Sequence, residues 1–494
     1  MECKHKHTKS NTKDLGGICT MKLTNDLKKN VEIIDKKLNV DKTFDMLTRI
    51  IDVHNTKFYL YYLDGFVKDT NLEYARRDMY NLKEEDFASI KSANELIEKA
   101  LSSIEASTDN NVDNLITAVL SGQTIMLGPW NEAIVLDFRT YPSRGVDEPN
   151  KEKVLRGAHD GFVETIVFNT ALIRRRIRDP HLIFEMHSVG SISKTDVAVG
   201  YISDKIKPDE LKKINDMIES LDIKSLTLGD QSFVESINSK SWITPFPKIR
   251  YTERPDVAAA QLVEGSIIII IDNTPSILIL PTTVFSFLQS VDDYYLPVLT
   301  GNYLKLIRMA VLVANLFLTP VYVLLTDNPG WLINFAGGFF SFLLPKDAYN
   351  IPIFFQFIIG EFAIDGLKLA SLNTPDSLGT SLSIIGGLIL GDYAVQTGWF
   401  TPQTILYMAI VALTSFVQPS VELSYAFKFT RLILLVLTGI FGPIGFIVGI
   451  IINIIMISST KTITGDSYLY PLIPFDRAKL LKLIFRWKKE VDNK

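Results

Sequence analysis

The sequence has 494 residues, of which 47% are hydrophobic and 21% are charged, and its formal net charge at pH 7 is −4. This length exceeds one ordinary soluble core, so more than one domain is expected. The slightly acidic balance, without an arginine-aromatic patch, argues against a nucleic-acid-binding protein. Cys3 and Cys19 are the only cysteines, which excludes a disulfide framework or a cysteine-based zinc site beyond residue 19.

The polar half of the chain, up to about residue 293, is predicted to mix helices and strands. Apolar residues at three- and four-residue steps predict helices, whereas short β-branched or aromatic runs between turn signals predict strands. We therefore expect an α/β or α+β domain. The predicted helices are 22–56, 82–106, 161–178 and 208–221, and the predicted strands are 57–63, 124–127, 133–138, 196–202 and the hairpin pair 266–271 and 276–280.

Proline and glycine punctuate residues 141–149, which we expect to link two subdomains. The leader is polar and lacks an apolar core, so it is not expected to be a secretory signal, and Met21 is an alternative start. The predicted organisation is a flexible or helical leader (1–40), two cytoplasmic subdomains (41–148 and 149–300), a transmembrane domain (301–460) and a basic cytoplasmic tail (461–494).

Charged residues nearly vanish between Met309 and Ile457, which predicts an all-α domain of four to six membrane-spanning helices. Its last apolar stretch is longer than a hydrocarbon core of roughly 30 Å, so a tilt or a kink at Pro443 is expected. Gly387 with Gly391, and Gly445 with Gly449, have the spacing of close helix–helix contacts. The candidate spans are 303–325, 331–344, 351–372, 379–398, 403–418 and 432–457.

Basic residues predict the orientation of these spans. Lys305 and Arg308 flank the first span on its N-terminal side, and the tail is basic, so both the large domain and the tail are expected in the cytoplasm. This requires an even number of crossings. Lys428 and Arg431 conflict with that expectation, because an even count would place them on the outside.

The span at 351–372 carries three ionisable residues, Glu361, Asp365 and Lys368, which helical spacing puts on one face. Three central charges cost about 8–10 kcal/mol on insertion, whereas the apolar residues return only about 3–7 kcal/mol. The charged face must therefore meet water, a partner helix or a symmetry mate. It either lines an aqueous pore in an oligomer, or is a structural pairing of Lys368 with Asp365 or Glu361, or belongs to an interfacial helix.

Asp392 in the next span is a further candidate pore residue. The alternatives are a partner for Lys368 and a helix-end carboxylate. No phosphate-binding loop, dinucleotide turn or nucleophile elbow is present in the sequence, and the histidines beyond the leader have no metal-ligand spacing. We therefore expect no enzymatic activity, no metal and no cofactor.

Several stretches of the polar half, taken in order, resemble the A-subunit family of GerA-type spore germinant receptors. Residues 49–61 and 251–260 resemble the SpoVAF branch of that family in particular. The likeness runs from about residue 43 to residue 475. The stretches that carry it are Tyr141–Arg144, Glu148-Pro149, Val154–Gly157, Asp160–Glu164, Asn169–Arg176 and Tyr251–Asp256.

The resemblance implies a protein of the spore inner membrane, with a cytoplasmic domain of two α/β subdomains and a multi-span C-terminal domain. It further implies a homo-oligomer around a pore that releases monovalent cations during germination. The implied partners are a transporter-like B subunit, a lipoprotein C subunit and membrane lipid. For the SpoVAF branch they include the SpoVA proteins, which move dipicolinic acid. The alternative is a non-conducting scaffold, or an accessory subunit of a germinant receptor or dipicolinic acid channel complex.

The arginine-rich run that begins at Arg174 has three interpretations: a contact with another subunit or an acidic partner, a structural salt-bridge cluster, or a contact with anionic lipid. We interpret Arg156 and Arg254 as polar anchors between the subdomains and not as catalytic residues. The candidate contact residues are Arg156, Arg174, Arg175, Arg176 and Arg254.

Overall fold

The structure is a computed structural model. It describes residues 21–101, 105–139, 152, 157–227, 229–238, 244–290, 292–330, 342–345, 349–372, 387, 391 and 393–485. Backbone contacts divide the chain into two compact units. One unit comprises residues 1–145, 162–187 and 196–205, and the other comprises residues 146–161, 188–195 and 206–494.

The first unit is built around an antiparallel sheet that is covered on both faces. Alternate residues of its strands enter two different cores, as with Tyr61 on one side and Leu60 on the other. The strand order is β1-β2-β4-β5-β3, with β1 Met46–Val53, β2 Thr56–Leu63, β3 Ala106–Asp109, β4 Thr124–Leu127 and β5 Ala133–Leu136. The helices are α1 Leu27–Leu38, α2 Asp69–Tyr80, α3 Glu84–Ala88, α4 Ala93–Ala100 and α5 Val112–Leu120. Helices α1 and α5 cover the first face of the sheet, and α2 and α4 cover the second.

The predicted helix over 22–56 is wrong beyond residue 38, where the chain forms strand β1. Helix α1 ends because Asn39 adopts a left-handed conformation with φ of 51°. Strand β1 then pairs with β2 along its whole length. The turn between them uses His54 and Asn55, both at positive φ, which is the geometry that matches the twist of a two-residue hairpin.

The rest of the first unit comprises helix α6, Ile166–Arg174, and most of the adjacent strands β6, Leu182–Val189, and β7, Thr195–Ile202. In the second unit, β9, β10 and β8 lie side by side in that order and are antiparallel. The predicted hairpin is confirmed, since β9 and β10 pair and every residue of both strands is buried. The elements are α7 Pro208–Glu219, α8 Asp230–Ile237, β8 Arg250–Thr252, α9 Pro255–Val263, β9 Ile267–Ile271 and β10 Ile277–Leu280.

A helical region follows the strands of the second unit. It starts with a 3-10 helix, Val284–Leu288. The helices that follow are α10 Asp292–Tyr295, α11 Val298–Asp327, α12 Ile353–Leu372, α13 Ala394–Gln396, α14 Pro402–Val417, α15 Val421–Ser459 and α16 Arg477–Ile484. Helices α11, α12, α14 and α15 pack together. Among the described residues, α11 and α15 are long and apolar enough to cross a membrane.

Helix α15 consists of two arms that reverse direction at Gly442. This residue has φ of 58° and ψ of −136°, outside the helical region and in the range that favours glycine. Asn453 Nδ2 on the second arm donates to the backbone oxygen of Thr430 on the first arm at 3.1 Å. A straight helix would separate these residues by about 35 Å, at 1.5 Å for each residue. The chain therefore folds back on itself. The break lies beside Pro443, as predicted, but it is a reversal between two helical arms and not a tilt or kink within one span.

The predicted close contact of Gly445 and Gly449 is confirmed, because both glycines face the first arm. A Cβ atom on Gly449 would lie 2.6 Å from Leu434 Cδ1, and one on Gly445 would lie 1.9 Å from the backbone oxygen of Leu437. Helices approach this closely only where side chains are absent. The candidate spans at 331–344 and 379–398 lie mostly outside the described residues.

The reversal of α15 predicts an intrachain cross-link. In a chain with Cys3 and Cys19 replaced by serine, we expect Thr430→Cys and Asn453→Cys to form a disulfide, detected as a linked peptide pair by mass spectrometry. The matched control is Thr430→Cys with Ile455→Cys, because the side chain of Ile455 is 58% exposed and lies about 200° around the helix from Asn453. Equal yields for the two pairs, or no linked peptide in either, would show that α15 does not reverse.

Candidate functional site

A buried ion pair joins helices α12 and α15 in the helical region. Arg431 Nη2 lies 2.6 Å from Glu361 Oε1, and the two side chains are only 3% and 5% exposed. Arg431 also donates through Nη1 to the side-chain oxygen of Asn315 on α11. Three helices therefore converge on one guanidinium group, whose planar fork of donors suits several acceptors at once.

Lys428 extends this pair by one helical turn. Its Nζ lies 3.4 Å from Glu361 Oε2 and forms an ion pair with Asp365. Lys428 precedes Arg431 by three residues on the same helix, so both side chains meet the face that carries Glu361 and Asp365. The carboxylate of Asp365 is 32% exposed, which makes it the point where the cluster opens to its surroundings.

Lys368 lies on the same face of α12 and contacts helix α14. Its Nζ donates to Ser415 Oγ at 3.1 Å, and it lies 5.0 Å from the ring centre of Phe416 and 5.9 Å from that of Tyr425. An ammonium group above an aromatic face is stabilised by the ring quadrupole. The predicted common face of Glu361, Asp365 and Lys368 is thus present, but the ion-pair partners of the two carboxylates come from α15.

Most of these side chains, but not Asp365, line a cavity of about 170 Å³. Within the described residues, Arg431 Nε and Asp365 Oδ1 are buried without a hydrogen-bond partner. Buried polar atoms of this kind are normally satisfied by ordered water, and the cavity is large enough for several molecules. The arrangement can therefore hold water within an otherwise apolar bundle. Its lining includes Asn315, Glu361, Lys368, Ser424, Lys428 and Arg431.

Sequence reasoning missed Lys428, Arg431 and Asn315 as members of the site. A signal was available, because Lys428 and Arg431 were the basic residues that did not fit the expected orientation. Two basic and two acidic side chains within apolar helices are expected to pair with each other, because an unpaired charge in an apolar environment is energetically costly. Asp392, the other predicted pore residue, lies outside the described residues.

A second polar cavity of about 250 Å³ lies between strand β8 and the start of α15. Its lining combines one arginine with four carboxylates. Burial lowers the pKa of Arg250, whose guanidinium donates to the backbone oxygen of Ser286 at 2.8 Å. Burial also raises the pKa of Glu152, although Thr252 donates to that carboxylate at 2.7 Å. The other carboxylates are those of Asp230, Glu253 and Glu422.

Arg174 is buried inside the first unit, with 2% exposure of its side chain, and so is its partner Asp45. Its Nε donates to Asp45 Oδ2 at 2.9 Å, its Nη2 donates to Asp45 Oδ1 at 3.1 Å, and it stacks over Phe184 at 5.1 Å. The side chain is thus engaged within its own unit, as in the structural salt-bridge interpretation. Arg175 is exposed and Arg176 is half-buried, and for these two a partner contact stays a prediction.

Arg254 is also buried and forms an internal ion pair. Its Nη2 donates to Asp256 Oδ2 at 2.7 Å and to the backbone oxygen of Ala158 at 3.0 Å. Nη1 donates to the backbone oxygen of Glu152 at 3.3 Å. Arg254 therefore anchors the segment around residues 152–158 to the start of α9 and is not available as a surface contact. Arg156 lies outside the described residues.

The described part of the chain contains no group of three or more His, Cys, Asp or Glu side chains that could hold a metal ion.

Removal of one partner from the buried pair should be more damaging than removal of both. Glu361→Leu leaves Arg431 and Lys428 facing each other and should destabilise the protein by about 3–5 kcal/mol. Arg431→Met should cost less, because Lys428 still reaches Glu361, and the double substitution should recover much of the loss. The measurement is the apparent melting temperature of the full chain in detergent. Phe362→Leu, at an exposed neighbouring position, is the control, and additive single effects would contradict the account.

The arginine run gives a matched comparison. Arg174→Met leaves Asp45 buried and unpaired, so we expect a loss of about 3–5 kcal/mol in stability. Arg175→Met changes an exposed side chain and should stay within about 0.5 kcal/mol. Thermal unfolding of the full chain measures both. Equal melting temperatures for the two variants would mean that the Asp45 pair does not stabilise the fold.

Three comparisons relate the chain to known proteins. Residues 32–494 match the family model described as Bacillus/Clostridium GerA spore germination protein. The chain is 35% identical over 472 residues to Stage V sporulation protein AF of Bacillus subtilis, covering 93% of this chain and 92% of that protein. It is 27% identical to Spore germination protein KA of the same organism, covering 94% of this chain and 85% of that one.

A crystal structure of the N-terminal domain of the A subunit of the Bacillus megaterium spore germinant receptor GerK3 is 26% identical, covers 53% of this chain and 96% of that one, and has a TM-score of 0.41. The family match spans almost the whole sequence, and the relative at 35% identity is covered nearly end to end. These matches confirm the resemblance to the GerA family and, within it, to the SpoVAF branch. The chain belongs to the GerA family of spore germination proteins.

Proposed function

We propose that this protein is the subunit of an oligomeric ion channel of the spore inner membrane, which releases monovalent cations during germination. The single observation that carries the proposal is the cavity with charged lining between α12, α14 and α15. Ionisable groups in an apolar bundle are costly, and where they persist they commonly mark an ion pathway. The membership of the GerA family supplies the link to germination.

The directions of the helices support a membrane domain with six crossings. Tyr322 on α11 contacts both Phe357 on α12 and Tyr407 on α14, and Asn315 contacts Arg431 on α15. Arg431 also contacts Glu361, four residues beyond Phe357, so α12 runs opposite to α11. Contacts of Gln356 with Thr401 and of Lys368 with Ser415 show that α14 runs parallel to α12. Leu435, four residues beyond Arg431, shares a core cluster with Tyr322, so the first arm of α15 runs parallel to α11.

Thr401 N donates to Gln356 Oε1 at 2.9 Å, so α12 and α14 begin at the same end of the bundle. With the span that the sequence predicts at 379–398, the proposed crossings are α11, α12, that predicted span, α14 and the two arms of α15. An even number supports a cytoplasmic position for both the large domain and the tail. It also removes the conflict over Lys428 and Arg431, because both then lie within a span and not in an outer loop.

In the proposed channel, the arrangement in which both carboxylates are ion-paired is the closed state. Glu361 and Asp365 are both engaged by cations of α15, so an incoming cation meets no free carboxylate. Opening then requires α12 and α15 to separate, which frees two carboxylates toward the cavity. The second cavity, with four carboxylates and one arginine at the start of α15, would concentrate cations nearby.

The alternative function is a non-conducting scaffold, or an accessory subunit of a germinant receptor or of a dipicolinic acid channel complex. One specific observation favours it. Glu361 and Arg431 neutralise each other within a single chain, so the pair needs neither a pore nor a symmetry mate to be stable. In either case the proposed partners are further copies of this chain, a transporter-like B subunit or SpoVA proteins, and membrane lipid.

Cation efflux from liposomes that contain the full chain separates these functions. Lys428→Gln frees Asp365, while Glu361 keeps its ion pair with Arg431, so a channel should conduct more cation than the unaltered protein. Asp365→Asn removes the most exposed carboxylate of the cluster and should lower the flux. Glu85→Gln, at an exposed position of α3 in the first unit, is the matched charge control. Efflux that is the same in all variants, with assembly intact, would support the scaffold and exclude the channel.

A further inference from the structure

We propose that the segment after α15, residues 471–485, is an anchor that binds anionic lipid headgroups at the cytoplasmic face of the membrane. The inference rests on the proposed function to the extent that α11 must lie in a bilayer. It assigns a partner to a surface that the channel proposal does not use. Exposed apolar side chains, a basic helix beside them and their position along α11 carry it independently of the charged cavity.

The apolar part of the anchor follows closely after Tyr468, whose side chain is held inside the protein. Tyr468 is fully buried, and its hydroxyl donates to the backbone oxygen of Pro247 at 2.7 Å. Within the next seven residues, Leu472, Ile473 and Phe475 are 43%, 52% and 66% exposed. Three large apolar side chains held in solvent next to a buried tyrosine are unfavourable in water, and such clusters mark a contact surface.

The basic part follows immediately. Asp476 caps α16, since its carboxylate accepts from the backbone N–H of Lys479 at 3.1 Å, and this hydrogen bond lowers the pKa of Asp476. Arg477 and Lys479 are exposed on this helix. The sequence from 477 to 489 contains six basic residues and no acidic one. Clusters of four to eight basic residues directly cytoplasmic of a span are the typical pattern for binding anionic lipid.

The position of the anchor along α11 matches the surface of a membrane. About 20 residues of helix cross a hydrocarbon core of about 30 Å, which, counted back from Asp327, puts its boundary close to Arg308. Leu312, one turn further along α11, packs against the same core cluster as Tyr468. Helix α16 itself packs against α11. The exposed residues after Tyr468 are therefore held within reach of the headgroups.

Helix α11, against which α16 packs, has an exposed apolar stripe of its own. Leu299, Tyr303 and Leu306 are 84%, 61% and 46% exposed and lie on one face of the helix at four- and three-residue steps. Val313, two turns further along the same side, is 54% exposed. A tyrosine at the level of the headgroups with aliphatic residues above it is the usual pattern at a membrane boundary. The chemistry of the combined surface, apolar and positively charged, fits an anionic bilayer better than an acidic protein.

Spin-label accessibility in nanodiscs tests the proposal. The full chain with Cys3 and Cys19 replaced by serine carries one label, at Phe475→Cys, and is placed in discs of phosphatidylcholine with or without phosphatidylglycerol. We expect the label to be shielded from an aqueous nickel reagent and accessible to oxygen in the anionic discs. Arg477→Glu with Lys479→Glu should lower the ratio of immersed to aqueous label by at least about 30-fold, because each lost basic residue costs about 1 kcal/mol and the new carboxylates are repelled by the anionic surface.

Two controls keep the outcomes separate. Lys28→Glu with Lys29→Glu makes the same change in charge at exposed positions of α1 and should leave the ratio unchanged. A label at Val313→Cys reports whether α11 itself is immersed, so an aqueous signal there would contradict the proposed membrane domain. An immersed Val313 label with an aqueous Phe475 label would overturn only the anchor. Immersion at Phe475 that is equal in both disc types, with dipolar coupling between labels, would instead indicate a second copy of the chain.

Discussion

The helical region depends on one constraint: charges in an apolar bundle must be neutralised where they lie. Arg431 meets this constraint by contacting Glu361 on α12 and Asn315 on α11 at once, and Lys428 does the same for Asp365. The energy that such a pair gains from its own attraction is largely cancelled by the loss of hydration. Its main consequence is specificity, because α11, α12 and α15 can pack only in the register that brings these groups together.

The same constraint links the fold to the proposed activity. A pair that breaks leaves two uncompensated charges, and these are tolerable only if water enters. The bundle already contains the space, since the cavity beside the pair is about 170 Å³, and Nε of Arg431, which lines it, is buried without a hydrogen-bond partner. Small separations of α12 from α15 would thus exchange a closed arrangement of ion pairs for a hydrated one with free carboxylates. The cost of that exchange sets how firmly the route is closed.

Much of the architecture was predictable from local patterns. The hairpin of β9 and β10 was predicted because two β-branched runs flank a clear turn, and the charged face of α12 followed from helical spacing alone. Strand β1 was missed because the apolar residues at 46, 47, 50, 51 and 53 also fit a helical period, and only pairing with β2 decides between them. The reversal at Gly442 was missed because a Gly-Pro step inside 26 uncharged residues is equally compatible with a kink in one long span.

The ion-pair partners of the charged face of α12 could not be predicted from the sequence, for a different reason. Glu361 and Arg431 are 70 residues apart, and no local pattern records which helices will become neighbours. The same holds for Arg174, whose burial against Asp45 depends on a contact across 129 residues. An arginine-rich run is typical of a surface, and within it only tertiary packing distinguishes the buried Arg174 from the exposed Arg175.

Access of water to the cavity is the measurement that bears most directly on the account. In the full chain without its native cysteines, reconstituted in nanodiscs, Ser424→Cys would place a thiol on the cavity wall and Phe362→Cys would place one on the exposed face of α12. The account predicts that a membrane-impermeant, water-soluble thiol reagent modifies the first and spares the second. Modification of Phe362→Cys with an unreactive Ser424→Cys would mean that the charged cluster is dry and that the aqueous surface lies elsewhere.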